Sequence, residues 1–81
     1  MFVYALYNQQ SGKIYIGQTS NLENRLTEHN QKRGKHFTAK FEGEWKLIYT
    51  EKVESRNQAL LREKQLKSFR GREYIKKYIP L

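Results

Sequence analysis

The sequence predicts an α/β domain: a small three-stranded antiparallel sheet flanked by helices, in the order β-β-α-β-α-α. Three observations lead there. Two short β-type runs, FVYALY and KIYIGQ, flank a turn-forming NQQSG segment. Two stretches with helical spacing follow, each preceded by residues that cap helices. Between them WKLIYTEK reads as a third strand. Few strands alternating with helices fit a sheet with helices packed on it.

Each element can be justified in turn. Residues 2–7 are aromatic or β-branched apart from Ala5 and Leu6, which suits a buried strand. Asn8, Ser11 and Gly12 supply turn chemistry. In residues 13–18, Ile14 and Ile16 fall on one face, and Tyr15 and Gly17 on the other. Two strands across a Ser-Gly turn predict a hairpin. Thr19, Ser20 and Asn21 offer N-caps, and Glu23 follows Ser20 as in a capping box. Leu22, Arg25, Leu26 and His29 then share one helical face. This helix is expected to end before Gly34, and residues 35–44 read as a loop. In the third strand Trp45, Leu47 and Tyr49 are expected on one face. A second helix, capped by Ser55, is expected over residues 55–69, with Ala59, Leu60, Glu63, Leu66 and Lys67 at helical spacing. Gly71 interrupts that pattern, and residues 73–79 are expected to form a last short helix before Pro80.

Eighty-one residues make one domain with a thin core. Cysteine is absent, so neither a disulfide nor a thiolate zinc site is expected, and a reducing compartment such as the bacterial cytoplasm fits. No apolar run approaches the roughly 20 residues of a membrane span. The first residues carry no signal-like pattern and read as structural. Sixteen basic residues against eight acidic ones give a charge of +8. Residues 52–81 alone carry nine basic against three acidic residues. Such a surplus points to an anionic partner, with nucleic acid first. A solvated basic face is the plain alternative.

Two features break core patterning. Arg25 and His29 lie on the face of Leu22 and Leu26, and Glu63 lies on the face of Ala59 and Leu66. A charge on a core-directed face is costly unless it is paired or faces a cleft. A buried Arg25–Glu63 ion pair, or side chains that snorkel to water, would explain them without function. Tyr4, Tyr7 and Tyr15 crowd the first two strands, and Tyr4 and Tyr15 can face each other across the hairpin. Taken alone they are ordinary β-formers.

Together these residues resemble a family. Phe2-Val3-Tyr4, then Tyr15-Ile16-Gly17, then Arg25-x-x-x-His29, then Glu63 within ALLREKQLK resemble the GIY-YIG nuclease domain, closest to its small stand-alone bacterial members. The resemblance covers nearly the whole chain, residues 1–81 as a single domain. Five segments in order at the right distances make it specific. Two departures stand out. Phe2 replaces the glycine that opens the first motif, and residues 64–72 lack the asparagine that supports the metal glutamate in several branches.

The resemblance implies a metal-dependent endonuclease that hydrolyses DNA phosphodiesters, with RNA kept open as a substrate. It implies that Glu63 holds Mg²⁺ (or Mn²⁺), a hard cation that one carboxylate, waters and phosphate can bind. Arg25 is the family's catalytic arginine, suited to clamp phosphate oxygens bidentately. Tyr4 or Tyr15 takes or relays the proton of the attacking water, and His29, at a position that is histidine in part of the family, is a third candidate. A phenol ordinarily ionises near about 10 and needs a nearby cation to serve as a base. Lys13, Lys35, His36, Lys40, Lys64, Lys67 and Arg70 are the expected footprint on phosphate, with Gly17 allowing close backbone approach or serving a plain turn. No second DNA-binding domain is present, so weakly selective or structure-selective nicking by a monomer or weak homodimer is expected, in a setting such as DNA repair. The alternatives are a nucleic-acid-binding module of the same fold without useful turnover, or a subunit active only with a partner.

Overall fold

The structure is a computed structural model that describes residues 1–31 and 40–80. Its elements are β1 (Phe2–Asn8), β2 (Lys13–Thr19), α1 (Leu22–Asn30), β3 (Trp45–Lys52), α2 (Arg56–Lys67) and α3 (Phe69–Lys76). The expected order and the antiparallel sheet are both present. The sheet runs β2-β1-β3, so β1 is central.

A central strand covered on both faces must be apolar on both, and this explains the unbroken FVYALY run. One face of β1, Val3 and Ala5, packs with Ile16 against Ala59 and Leu66 of α2 and Ile75 of α3. The other face, Tyr4 and Leu6, packs with Trp45 and Tyr15 against Leu22 and Leu26 of α1. The sheet is therefore the middle of three layers. The side chain of Asn30 fastens the end of α1 to β3: its Oδ1 accepts from Trp45 N at 2.7 Å, and its Nδ2 donates to Trp45 O at 3.1 Å. Buried Asn8 does similar work at the hairpin, accepting from Ser11 N at 2.9 Å and donating to Glu42 O at 2.8 Å. Each amide satisfies backbone groups that a thin core could not leave bare.

Four details depart from the sequence expectation. The cap of α1 is Asn21, whose side chain accepts from Asn24 N at 3.1 Å, and not a Ser20–Glu23 box. Thr19 secures the turn instead, accepting from Asn21 N at 3.1 Å. The β1–β3 register shifts between Ala5 and Leu6, pairing Ala5 with Tyr49 but Leu6 with Leu47. One extra residue reverses the alternation, so Trp45 packs on the α1 side and Tyr49 on the α2–α3 side. Finally, α2 stops at Lys67 rather than residue 69, and α3 begins at Phe69 rather than residue 73.

Ser68 makes that last difference. It is extended (φ −68°, ψ 167°), ends α2, and caps α3 by accepting from Gly71 N at 3.2 Å. Gly71 thus lies inside a helix. A Cβ there would overlap the Gln65 carbonyl and the Leu66 backbone, so glycine lets α3 fold tightly back on α2.

Gly71→Ala separates two effects. Helix propensity alone would stabilise the variant by roughly 0.8–1 kcal/mol. Overlap with the backbone predicts a net loss of about 1–3 kcal/mol instead. Urea denaturation decides, and a more stable variant would contradict the packing described.

Candidate active site

The register of the hairpin sets the site. Tyr4 pairs with Gly17 and Leu6 with Tyr15, so Tyr4 and Tyr15 are diagonal neighbours on one face. Their ring centroids are 6.2 Å apart. A Cβ on Gly17 would lie 2.8 Å from Tyr4 Oη and 2.9 Å from Tyr15 Cε1. The glycine therefore makes room for two phenol rings over β2. It sits inside a strand, and the plain turn role does not apply.

Helix α1 completes this side. Leu22 and Leu26 seat the helix on the sheet, which carries Arg25 and His29 inward at the same spacing. His29 is fully buried, with Nε2 3.0 Å from Tyr4 Oη and its ring centroid 4.8 Å from that of Tyr15. It is thus the histidine bonded to a tyrosine hydroxyl, not one on the helix surface. Burial pushes the Tyr4 phenol well above the ordinary tyrosine range. The neighbouring Tyr15 adds to the rise, Arg25 opposes it, and Glu63 adds a smaller upward push. Tyr4 is therefore a protonated phenol throughout the neutral range, in electrostatic reach of both Arg25 and Glu63.

Those two charges do not form the buried ion pair that patterning allowed. Arg25 is about a third exposed and has Glu28 at 3.8 Å, a weak surface contact. Glu63 comes from α2 on the opposite layer, with its side chain 18% exposed. Lys67 Nζ lies 3.0 Å from its Oε1, and Gln18 Nε2 donates to Oε2 at 3.4 Å. Gln18 was missed in the sequence. Its signal was there: position 18 continues the core-facing series of Ile14 and Ile16, so a polar residue breaks the strand's alternation. Its Oε1 is buried and has no partner among the described residues.

No group of three His, Cys, Asp or Glu side chains could hold a metal among the described residues. A site built on Glu63 would therefore rest on one carboxylate. That suits Mg²⁺, which keeps several waters and often takes one or two carboxylates plus substrate phosphate. The orphaned Gln18 oxygen adds a hard acceptor beside the carboxylate. The donor set fits the ion, although Lys67 must yield its place on Glu63.

The expected phosphate footprint is divided. Lys13 and Lys67 line one groove beside β2. Lys40 and Lys64 are exposed but line none of the grooves described, and Arg70 lies beside Phe69 and Tyr74 on another side of α3. Lys35 and His36 lie outside the described residues.

Tyr4→Phe tests the buried pair. Removing the hydroxyl strips His29 Nε2 of this bond, and stability is expected to fall by about 1–3 kcal/mol near neutral pH. Because the folded pKa of Tyr4 is raised, its protonated phenol stabilises the fold below the ordinary tyrosine pKa. That contribution fades as pH climbs toward the raised value. Ultraviolet titration should show one fewer late-ionising phenol in the variant. An unchanged alkaline titration would contradict the assignment.

Comparison with known proteins identifies the family. The family described as the GIY-YIG catalytic domain matches residues 1–78. A UPF0213 protein of Staphylococcus saprophyticus is 30% identical over 67 residues, covering 83% of this chain and 80% of its own. One of Staphylococcus haemolyticus is 31% identical over the same shares. One of Natronomonas pharaonis is 34% identical over 55 residues, 68% of this chain and 64% of its own. Those names carry no activity, and no solved structure gives a significant match. With three antiparallel strands, three helices and a family match spanning nearly every residue, the chain belongs to the GIY-YIG family, whose catalytic domain implies nuclease activity.

Proposed function

We propose that the chain is a Mg²⁺-dependent endonuclease that nicks DNA with weak sequence selectivity, reading structure rather than bases. One observation carries this reading: Tyr4, at the centre of the sheet, feels both Arg25 from one helical layer and Glu63 from the other. Tyr4 thereby links a cation, a carboxylate and a second phenol.

In this scheme Glu63 holds the ion, and Gln18 offers its oxygen beside it. Bound there, Mg²⁺ would act as a Lewis acid at the leaving oxygen. Arg25 binds non-bridging phosphate oxygens and neutralises charge that grows in the transition state. Tyr4 is the poorer base because burial holds its proton; its bond to His29 fixes it as a positioning group. Tyr15 is only half-buried and lines the groove beside β2; its Oη, having given its own proton to solvent, takes the proton of the attacking water as a phenolate. Exposed lysines and arginines supply contacts that carry no sequence information. One set of these residues per chain cuts one strand.

A second reading has its own observation: Lys67 already occupies the Glu63 carboxylate at 3.0 Å. A protein that keeps this pair closed would bind nucleic acid without turnover.

Supercoiled plasmid and branched or flapped DNA, incubated with pure protein in Mg²⁺, Mn²⁺ or EDTA, separate the two. Nicking is expected with either metal and none in EDTA. Glu63→Ala and Arg25→Ala, once shown to be folded, should each lose about 100–1000-fold in rate. Salt-sensitive binding that survives EDTA, with no products in any lane, would overturn the enzyme reading in favour of the binding module.

A further inference from the structure

Beside β2 lies a groove of about 550 Å³, walled on one side by residues 12–16 and on the other by the end of α2 and by α3. Among the described residues eight line it, of which four are cationic (Lys13, Lys67, Arg72 and Lys76) and none is acidic. An anion is therefore its natural occupant. All four cations are exposed, and they come from both walls: Lys13 from β2, Lys67 from the end of α2, Arg72 and Lys76 from α3. Four separate charges on two walls suit an anion with several charged groups better than one small ion.

Charge in the groove is only partly spent inside the protein. Lys67 pairs with Glu63 at 3.0 Å and Lys76 with Glu73 at 3.2 Å. Among the described residues, Lys13 and Arg72 have no carboxylate within ion-pair distance. Arg72 is held by its Nε, which donates to the Lys67 carbonyl at 3.1 Å. That bond fixes the guanidinium at the α2–α3 junction and leaves its other nitrogens available. Among the described residues β2 pairs only with β1, which makes the opposite wall an edge strand. Strand-edge N–H groups are good phosphate donors.

The groove is also continuous with the site. Tyr15 belongs to both, and Lys67 stands one helical turn from Glu63 and touches it. Stepping back along β2 from Gln18 to Lys13 covers roughly 16 Å at a strand's rise of about 3.3 Å per residue. The other wall holds Lys67, one turn along α2 from Glu63, and then Arg72 and Lys76 of α3.

We propose that this groove is the binding track for a single nucleic-acid strand, whose backbone phosphates meet Lys13, Lys67, Arg72 and Lys76 while a neighbouring phosphate lies at Glu63 and Arg25. The placement of the neighbouring phosphate rests on the nuclease reading; the binding of the strand does not. Arg72 and Lys76, on α3, thereby join the substrate-binding surface.

The test is fluorescence anisotropy of a short labelled single-stranded oligodeoxynucleotide in EDTA, titrated over a series of salt concentrations. The wild type is compared with Arg72→Gln/Lys76→Gln, with Arg72→Lys/Lys76→Arg, and with Lys46→Gln/Lys52→Gln. The last removes the same charge from β3 at the other edge of the sheet. Each phosphate contact contributes about 0.7 to the slope of log K against log salt on a single strand. The first double variant should lower the slope by about 1.4, the charge-preserving swap should restore it, and the β3 variant should leave it unchanged. An unchanged slope in the first variant, or an equal drop in the β3 variant, overturns the track. Binding is read without metal, so the result stands even if the protein cuts nothing. A protein that nicks plasmid through Glu63 but shows no slope change loses the groove and keeps the nuclease.

Discussion

Gly17 has no side chain, and the volume its Cβ would fill is taken by the Tyr4 and Tyr15 rings. Most of the site follows from that substitution of aromatic rings for a methyl group. With the rings over β2, Tyr4 Oη reaches His29 on α1. His29 in turn sits at the depth that Leu22 and Leu26 set for the helix. Arg25, one turn before His29, is brought to the rim of the same patch. A larger residue at position 17 would push the rings and the helix apart together.

The sheet's two faces divide the work. The Val3 and Ala5 face has small residues at its centre, which allows α2 to lie close and bring Glu63 toward β2. The Tyr4 and Leu6 face carries the phenols and the cation. Glu63 of α2 meets Gln18 of β2, and His29 of α1 lies against Tyr15 of β2, so β2 touches groups of both layers. Such an arrangement needs no deep cavity, which a domain of this size could not enclose. It also explains how polar groups coexist with a thin core: Tyr4 and His29 satisfy each other inside, while the charged pair stays near water.

Much of this was legible in the sequence, and the limits have physical causes. Strand alternation placed Ile14 and Ile16 opposite Tyr15 and Gly17, as found. Helical spacing put Arg25 and His29 with two leucines, as found. Periodicity could not foresee the register shift near Ile48, because a single extra residue leaves no mark in composition yet reverses every later side chain. Gly71 read as a breaker because its cost to a helix is visible in the sequence, while its benefit is a close contact with the Leu66 backbone that exists only once α3 folds back on α2. Gln18 breaks the alternation of β2, but no local pattern names its partner Glu63, 45 positions away. Patterning also allowed an Arg25–Glu63 pair; the two residues instead lie on opposite layers, each with a nearer partner on its own helix.

The proposed nuclease needs Glu63 as the seat of a divalent ion near the β2 edge. Mn²⁺ can stand in for Mg²⁺ and broadens nearby resonances. Amide spectra of ¹⁵N-labelled protein bound to a short DNA, titrated with traces of Mn²⁺, therefore test it directly. The account predicts broadening centred on Gln18 and Glu63, and its disappearance in a folded Glu63→Gln variant. Broadening centred elsewhere, or unaffected by that substitution, would contradict it.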